Sequence, residues 1–405
     1  MKKVLKSIAA FALAMICAVL VFTIGSALEN RSTSQGFVSV ADFGATPDDD
    51  LDDTKAFLDA VATGESVYIP AGEFIVSQSI AIKDLRVTGN GMTRSAIRGA
   101  MADKKTPILI LEGCAHVEDL AVTFLEEELT RIKDREGDYV AIQTGSEGNP
   151  MTVGGAIRNI LFRFVGTGIY SPKGQNTGAH GIIIDTIEFM QFSYRGIDMQ
   201  TENRKGNTYS NMYIASLAHA INQEPSDSGF ALEGSETGAV INQLNVEHTK
   251  IKRPIIFKNV KNLSVSSIHV EGVTISETNM GYAFVENSSG FIGGFTVLFT
   301  PIDFERGSVF CFGNAASPQT LKIGTIHVCG LNCPHIPIHG EREAGLTKNA
   351  ARSFIMLDRK AGATGSYTVE LDNYVYYTYV ADVQEYEAFK CSTDKNLTIK
   401  MRKES

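Results

Sequence analysis

Short segments in the middle of the chain repeat one order of polar, apolar, variable, apolar and variable positions. They are Asn159-Ile160-Leu161-Phe162-Arg163, Thr186-Ile187-Glu188-Phe189-Met190, Asn211-Met212-Tyr213-Ile214-Ala215, Gln243-Leu244-Asn245-Val246-Glu247 and Ser267-Ile268-His269-Val270-Glu271. A period of two is what a strand with one buried face requires. Nine to eleven residues after each first apolar position stands a second short element, at Gly168-Ile169-Tyr170, Gly196-Ile197-Asp198, Ala220-Ile221-Asn222 and Pro254-Ile255-Ile256. The residues Ile160, Ile187, Met212, Leu244 and Ile268 are spaced 27, 25, 32 and 24 apart. That spacing predicts consecutive coils of a parallel β-solenoid, with departures from it marking loops.

Weaker copies at Val117 to Val122, Phe291-Ile292-Gly293 and Thr325-Ile326-His327-Val328 extend the main coils over residues 117–328. The charged stretch Leu125 to Arg135 reads as a solvated helix or loop on one wall. Alternation resumes over residues 367–401, as in Tyr374-Val375-Tyr376-Tyr377, which predicts terminal coils and a cap over the open strand edge.

Ahead of the coils, residues 38–91 carry Val38-Ser39-Val40-Ala41-Asp42-Phe43-Gly44-Ala45, an Asp-rich loop ending in Asp52-Asp53-Thr54, then Val67-Tyr68-Ile69-Pro70-Ala71-Gly72 and Val87-Thr88-Gly89-Asn90-Gly91. The pattern predicts a strand, a turn, a helix with apolar Phe57, Leu58 and Val61, and brief strands broken by Gly or Pro. This string resembles the opening of right-handed parallel β-helix proteins of the pectate-lyase superfamily, among them polygalacturonase-related proteins and phage tailspikes. The resemblance implies an all-β chain: a right-handed parallel β-helix (solenoid) with an N-terminal cap helix. It is specific for architecture and not for a reaction.

The N-terminus changes the domain picture. Lys2, Lys3 and Lys6 precede an apolar run that ends in Gly25-Ser26-Ala27, the pattern of a secretory signal over residues 1–27. The expectation is a secreted, extracellular or periplasmic, single β-helix domain over residues 28–405; the alternative is a membrane anchor through residues 8–25. Cleavage after Ala27 removes three lysines and no acid, taking the formal charge from −9 to −12. Such a chain is a poor partner for nucleic acid or anionic lipid, and the partner expected is a polysaccharide. Monomer and homotrimer both stay open. The five cysteines left, Cys114, Cys311, Cys329, Cys333 and Cys391, are too sparse for a disulfide framework, although Cys329 and Cys333 could pair.

Stacked coils place equivalent residues about 4.8 Å apart, so candidate chemistry is read down files of outward side chains. One file contains Leu161, Glu188, Tyr213, Asn245 and His269; two residues on come Arg163, Met190, Ala215, Glu247 and Glu271. Its bland reading is a solvated strand face. Its functional reading is a glycan groove in which Glu188 and Glu247 bind or protonate, Tyr213 offers a stacking face, and Asn245 and His269 add polar contacts. A second file, at the turn between the two elements, contains Tyr194-Arg195, His219 and Lys252-Arg253, followed by Asp198 and Asn222. Abstraction of a proton beside a uronate carboxylate needs a base and a positive group, which these residues supply; the bland reading is a basic coil corner. The run Asp48-Asp49-Asp50-Leu51-Asp52-Asp53 has carboxylates suited to calcium, or else forms a loop in which Asp52 or Asp53 caps the helix.

Polygalacturonase-type hydrolases carry an Asn-Thr-Asp element, an Asp-Asp pair, a Gly-His-Gly and an Arg-Ile-Lys in that order. Here only Ala179-His180-Gly181 and an early Arg131-Ile132-Lys133 are found, and the Asp ladder of calcium-dependent pectate lyases is missing. The chain also contains no Trp, a common sugar platform, against 13 Tyr and 22 Phe. Two functions stay open: a secreted polysaccharide lyase or hydrolase, and a non-catalytic glycan-binding, tailspike-like β-helix.

Overall fold

The structure, a computed structural model, describes residues 36–125, 136–174, 177–215, 225–247, 250–275, 281–298, 308–330, 355–378, 390–391 and 393–402. The signal or anchor segment, Arg131-Ile132-Lys133, His219, Asn222 and Cys333 lie outside the described residues. No described helix is long and apolar enough to cross a membrane.

Every strand pair is parallel, and the strands wind as a β-solenoid with two long sheets. The longer sheet runs through His116–Thr123, Ala156–Arg163, Ile183–Phe189, Thr208–Ala215, Val240–Glu247, Leu263–Glu271, Gly290–Leu298 and Gln319–Gly330, and ends on Tyr367–Thr378 and Leu397–Met401. The second sheet includes Val165–Ser171, Phe192–Met199, Ser228–Leu232, Ile255–Lys258, Ala283–Glu286 and Ser308–Phe312. Leu120, Ile160, Ile187, Met212, Leu244, Ile268, Phe295 and Ile326 pair in unbroken succession, so the spacing read from the sequence marks real rungs. Two assignments need correction. Ile268 pairs with Phe295, while Ile292 pairs with Val265, a slip of three residues. The partner of Gly196-Ile197-Asp198 in the next coil is Gly229-Phe230-Ala231 rather than Ala220-Ile221-Asn222, since Ile197 is in register with Phe230.

Inward residues of successive rungs fill the lumen. Phe162 and Phe189 stack with centroids 4.8 Å apart. Gly168 makes room for the Phe189 ring, from which a Cβ there would lie 2.3 Å, and Gly196 lets the next rung approach, since a Cβ there would lie 2.5 Å from the Gly229 carbonyl oxygen. Close packing of this kind tolerates no added methyl. The lumen also encloses an ion pair, Arg204 with Glu236 at 3.1 Å, both fully buried, with the Tyr209 hydroxyl reaching Glu236.

At the N-terminal end, Thr54–Ala62 forms helix α1, which buries Phe57 edge-on against Phe74. The acidic run before it supplies hydrogen-bond acceptors to the loop. Asp52 accepts the Thr54 amide at the helix start, Asp53 accepts the amides of Thr46 and Ile75, Asp48 that of Glu73 and Asp49 that of Leu51. Capping therefore falls to Asp52, since Asp53 makes no cap bond of its own.

Candidate glycan-facing site

The pleat decides which side chains face out. Because Ile187, Met212, Leu244 and Ile268 turn inward, the residues after them turn outward, and Glu188, Tyr213, Asn245 and His269 are direct partners in four successive strands. Glu247 and Glu271 pair in the same way two residues on. All six are half-buried. The Tyr213 hydroxyl crosses to the next rung and donates to Glu247 at 3.0 Å. The His269 Nε2 lies 3.1 Å from Glu271 Oε2. Burial first, then the negative charge of Glu247, pushes the Tyr213 hydroxyl up to about 12, with Glu188 and Glu271 adding to it. Tyr213 thus stays a protonated donor at neutral pH. The face is acidic, with three carboxylates in reach of one phenol and one imidazole.

The second predicted file is built differently. Arg195 is 4% exposed and is held by Asp198 at 2.7 Å, Asp227 at 2.6 Å and Glu233 at 3.3 Å, while the Tyr194 ring packs 5.3 Å from its guanidinium. Arg253 binds the other oxygen of Asp227 at 2.8 Å, and Gln200 donates to Asp198 at 2.9 Å. Burial pushes the Asp198 carboxyl up to about 6 against the pull of Arg195 and Gln200. Burial also works on Asp227, but Arg195 and Arg253 outweigh it and hold that carboxyl below its usual range. Burial raises the Tyr194 hydroxyl to about 12.

This arrangement corrects the reading of an exposed basic turn. The coil between Arg195 and Arg253 presents Asp227 and Ser228 at the matching positions: Arg195 pairs with Ser228, and the Lys252 and Arg253 amides bond to Ser226 and Asp227. His219, assigned there from the sequence, is not the matching residue. The cations are enclosed by carboxylates, and Lys252 stands half-buried beside them. Asp227 and Glu233 went unnoticed in the sequence because the coil is aligned nine residues too early there, on Ile221 in place of Phe230. Outside both clusters, Cys114 is an exposed free thiol, and burial raises the thiol of Cys311 to about 12.

Comparisons with known proteins agree with this architecture. A family model described as rhamnogalacturonase A/epimerase, pectate lyase-like, matches residues 37–282. The pre-neck appendage protein of Bacillus phage B103 is 44% identical over 61 residues, which are 15% of this chain and 7% of that protein. Among solved structures, the tailspike of Acinetobacter phage vb_AbaP_AS12 is similar with a TM-score of 0.59 at 9% identity, covering 92% of this chain and 63% of that one. The catalytic unit of the GH87 α-1,3-glucanase from Streptomyces thermodiastaticus strain HF3-3 gives 0.50 at 14% identity, over 91% and 69%. The chain thus spans less than two thirds of the tailspike's length. At such identities the structural likeness is one of fold.

Proposed function

Because the chain belongs to the rhamnogalacturonase A/epimerase, pectate lyase-like family, a carbohydrate-active β-helix family, we propose that it binds a linear polysaccharide along the outer face of the longer sheet and hydrolyses it. The observation that carries this reading is the file of Glu188, Tyr213, Asn245 and His269 on adjacent rungs, flanked by Glu247 and Glu271. Rungs about 4.8 Å apart repeat donors and acceptors along one line, which suits a polymer and gives a compact ligand no advantage. Glu188 and Glu247 stand on the rungs either side of Tyr213, where one gives a proton to the leaving oxygen and the other takes one from water. The Tyr213 ring supplies a sugar-facing surface while its hydroxyl orients Glu247.

Lyase chemistry is the weaker reading. A developing enolate needs a free positive group. Arg195 and Arg253 are committed to Asp198, Asp227 and Glu233, and the face around Tyr213 carries the three carboxylates of Glu188, Glu247 and Glu271. The basic, apolar and small-residue order of residues 1–27 supports export.

A panel of neutral and acidic polysaccharides tests the proposal. New reducing ends are expected on at least one polymer, without the ultraviolet absorbance of an unsaturated uronate, and Glu188→Gln should remove them. Retention on a glycan without turnover would leave binding and remove hydrolysis. Silence in both assays would remove the proposal.

A further inference from the structure

We propose that Glu247, His269 and Glu271 form a binding site for a divalent transition-metal ion of the zinc type at the edge of the glycan-facing file. One ligand atom from each, a carboxylate oxygen from the two glutamates and an imidazole nitrogen, lies within 4.8 Å of the others. Donors bound tetrahedrally at about 2.1 Å sit about 3.4 Å from one another, so the three need close in by little more than a side-chain rotation. His269 Nε2 and Glu271 Oε2 are already 3.1 Å apart.

The sheet supplies the preorganisation. Glu247 and Glu271 are register partners, and His269 precedes Glu271 by two residues on one strand, so all three point outward from two adjacent rungs. Tyr213 lies one rung earlier and donates to Glu247, an outer contact of the kind that orients a metal-ligating carboxylate. The His and Glu side chains of the pair keep 30% and 27% of their surface exposed, which leaves an ion access and an open coordination position toward solvent. The donor set selects the metal: imidazole with carboxylates suits zinc, and manganese less well, whereas calcium prefers oxygen ligands alone.

The acidic run at residues 48–53 makes a useful contrast. It has more carboxylates, but Asp48, Asp49, Asp52 and Asp53 accept backbone amides of their own loop and of the neighbouring strand, and Asp50 pairs with Arg98. The triad instead combines two chemical types at one point on a stiff sheet.

The inference deepens the glycan reading, because an open position on such an ion takes a hydroxyl or carboxylate oxygen of a sugar. With an ion bound, Glu247 would serve as its ligand in place of the proton transfer assigned to it above, and Glu188 keeps its own. The site itself is tested without any glycan. The full chain, stripped with a chelator, is titrated calorimetrically with zinc, manganese and calcium chlorides, and bound metal is counted by elemental analysis. One zinc per chain is expected, with manganese weaker and calcium weaker still. His269→Ala and Glu271→Gln should each lower zinc affinity by about tenfold or more, with Glu188→Gln unchanged. Circular dichroism checks that each variant is folded, and the two variants back each other up. Zinc affinity unaltered in His269→Ala or Glu271→Gln, or no stoichiometric zinc at all, would overturn the site. Stoichiometric zinc binding by a chain that cleaves no glycan would overturn the hydrolysis and leave the site, whereas glycan cleavage without zinc binding would overturn the site and leave the hydrolysis.

Discussion

The open face around Tyr213 and the closed cage around Arg195 use much the same residue types, yet they solve opposite problems. In the cage, three carboxylates surround one guanidinium that is 4% exposed, and Arg253 shares Asp227, so both cations are committed within the cluster. On the face, Glu188, Glu247 and Glu271 stand half-buried beside a phenol and an imidazole, with Tyr213 donating to Glu247 and His269 beside Glu271. A buried pair holds coils in register, since removing one partner strands the other charge. A half-open acidic file does little for stability and is free to meet a substrate.

Substitutions in the two regions should therefore move different observables. The largest effect is expected from Glu188→Gln on the face: hydrolysis falls by about 10²–10⁴-fold, while the urea unfolding midpoint barely moves. A midpoint shift as large as the activity loss would erase the distinction. Next comes Arg195→Met in the cage, which leaves Asp198, Asp227 and Glu233 facing one another and should cost about 3–5 kcal/mol of stability. The folded fraction should bind glycan as before. Loss of glycan binding from fully folded protein would put the cage in the site.

Tyr213→Phe sharpens the account of the face. It removes the donor to Glu247 and should weaken glycan binding by roughly fivefold, about 1 kcal/mol, at unchanged stability. The smallest effect concerns pH. Asp198 has its folded value raised to about 6, so the folded state holds its proton more tightly than the unfolded chain does. Its contribution is favourable at low pH and is lost as pH rises from about 4 through about 6. Asp227 acts in the opposite sense, its share being lost as pH falls through its lowered folded value. Asp198→Asn should flatten the part of the stability profile between about pH 4 and 6 in urea titrations, and an unchanged profile there would exclude Asp198 as its source.

How much of this could be read from the sequence follows from which interactions are local. Alternation around Ile160, Ile187, Met212, Leu244 and Ile268 is a property of each strand by itself, and it gave both the rungs and the outward file of Glu188, Tyr213, Asn245 and His269. The partners of Arg195 come from Asp198 on its own strand and from Asp227 and Glu233 in the next coil, Asp227 standing 32 residues on. That coil departs from the spacing of its neighbours, so a count by period puts His219 where Asp227 and Ser228 stand. The buried pair Arg204 and Glu236 was equally hidden, because nothing in two isolated charged residues shows that they face one another inside a lumen.

The most direct test of the glycan-facing file is the crystal structure of Glu188→Gln soaked with an oligosaccharide of whichever polymer the protein turns over. Sugar rings are expected along the outer face of the longer sheet, across Tyr213, Asn245 and His269, with an oxygen near residue 188. Sugar seated over Tyr194 and Arg195 on the second sheet, with the file of the longer sheet bare, would contradict the account.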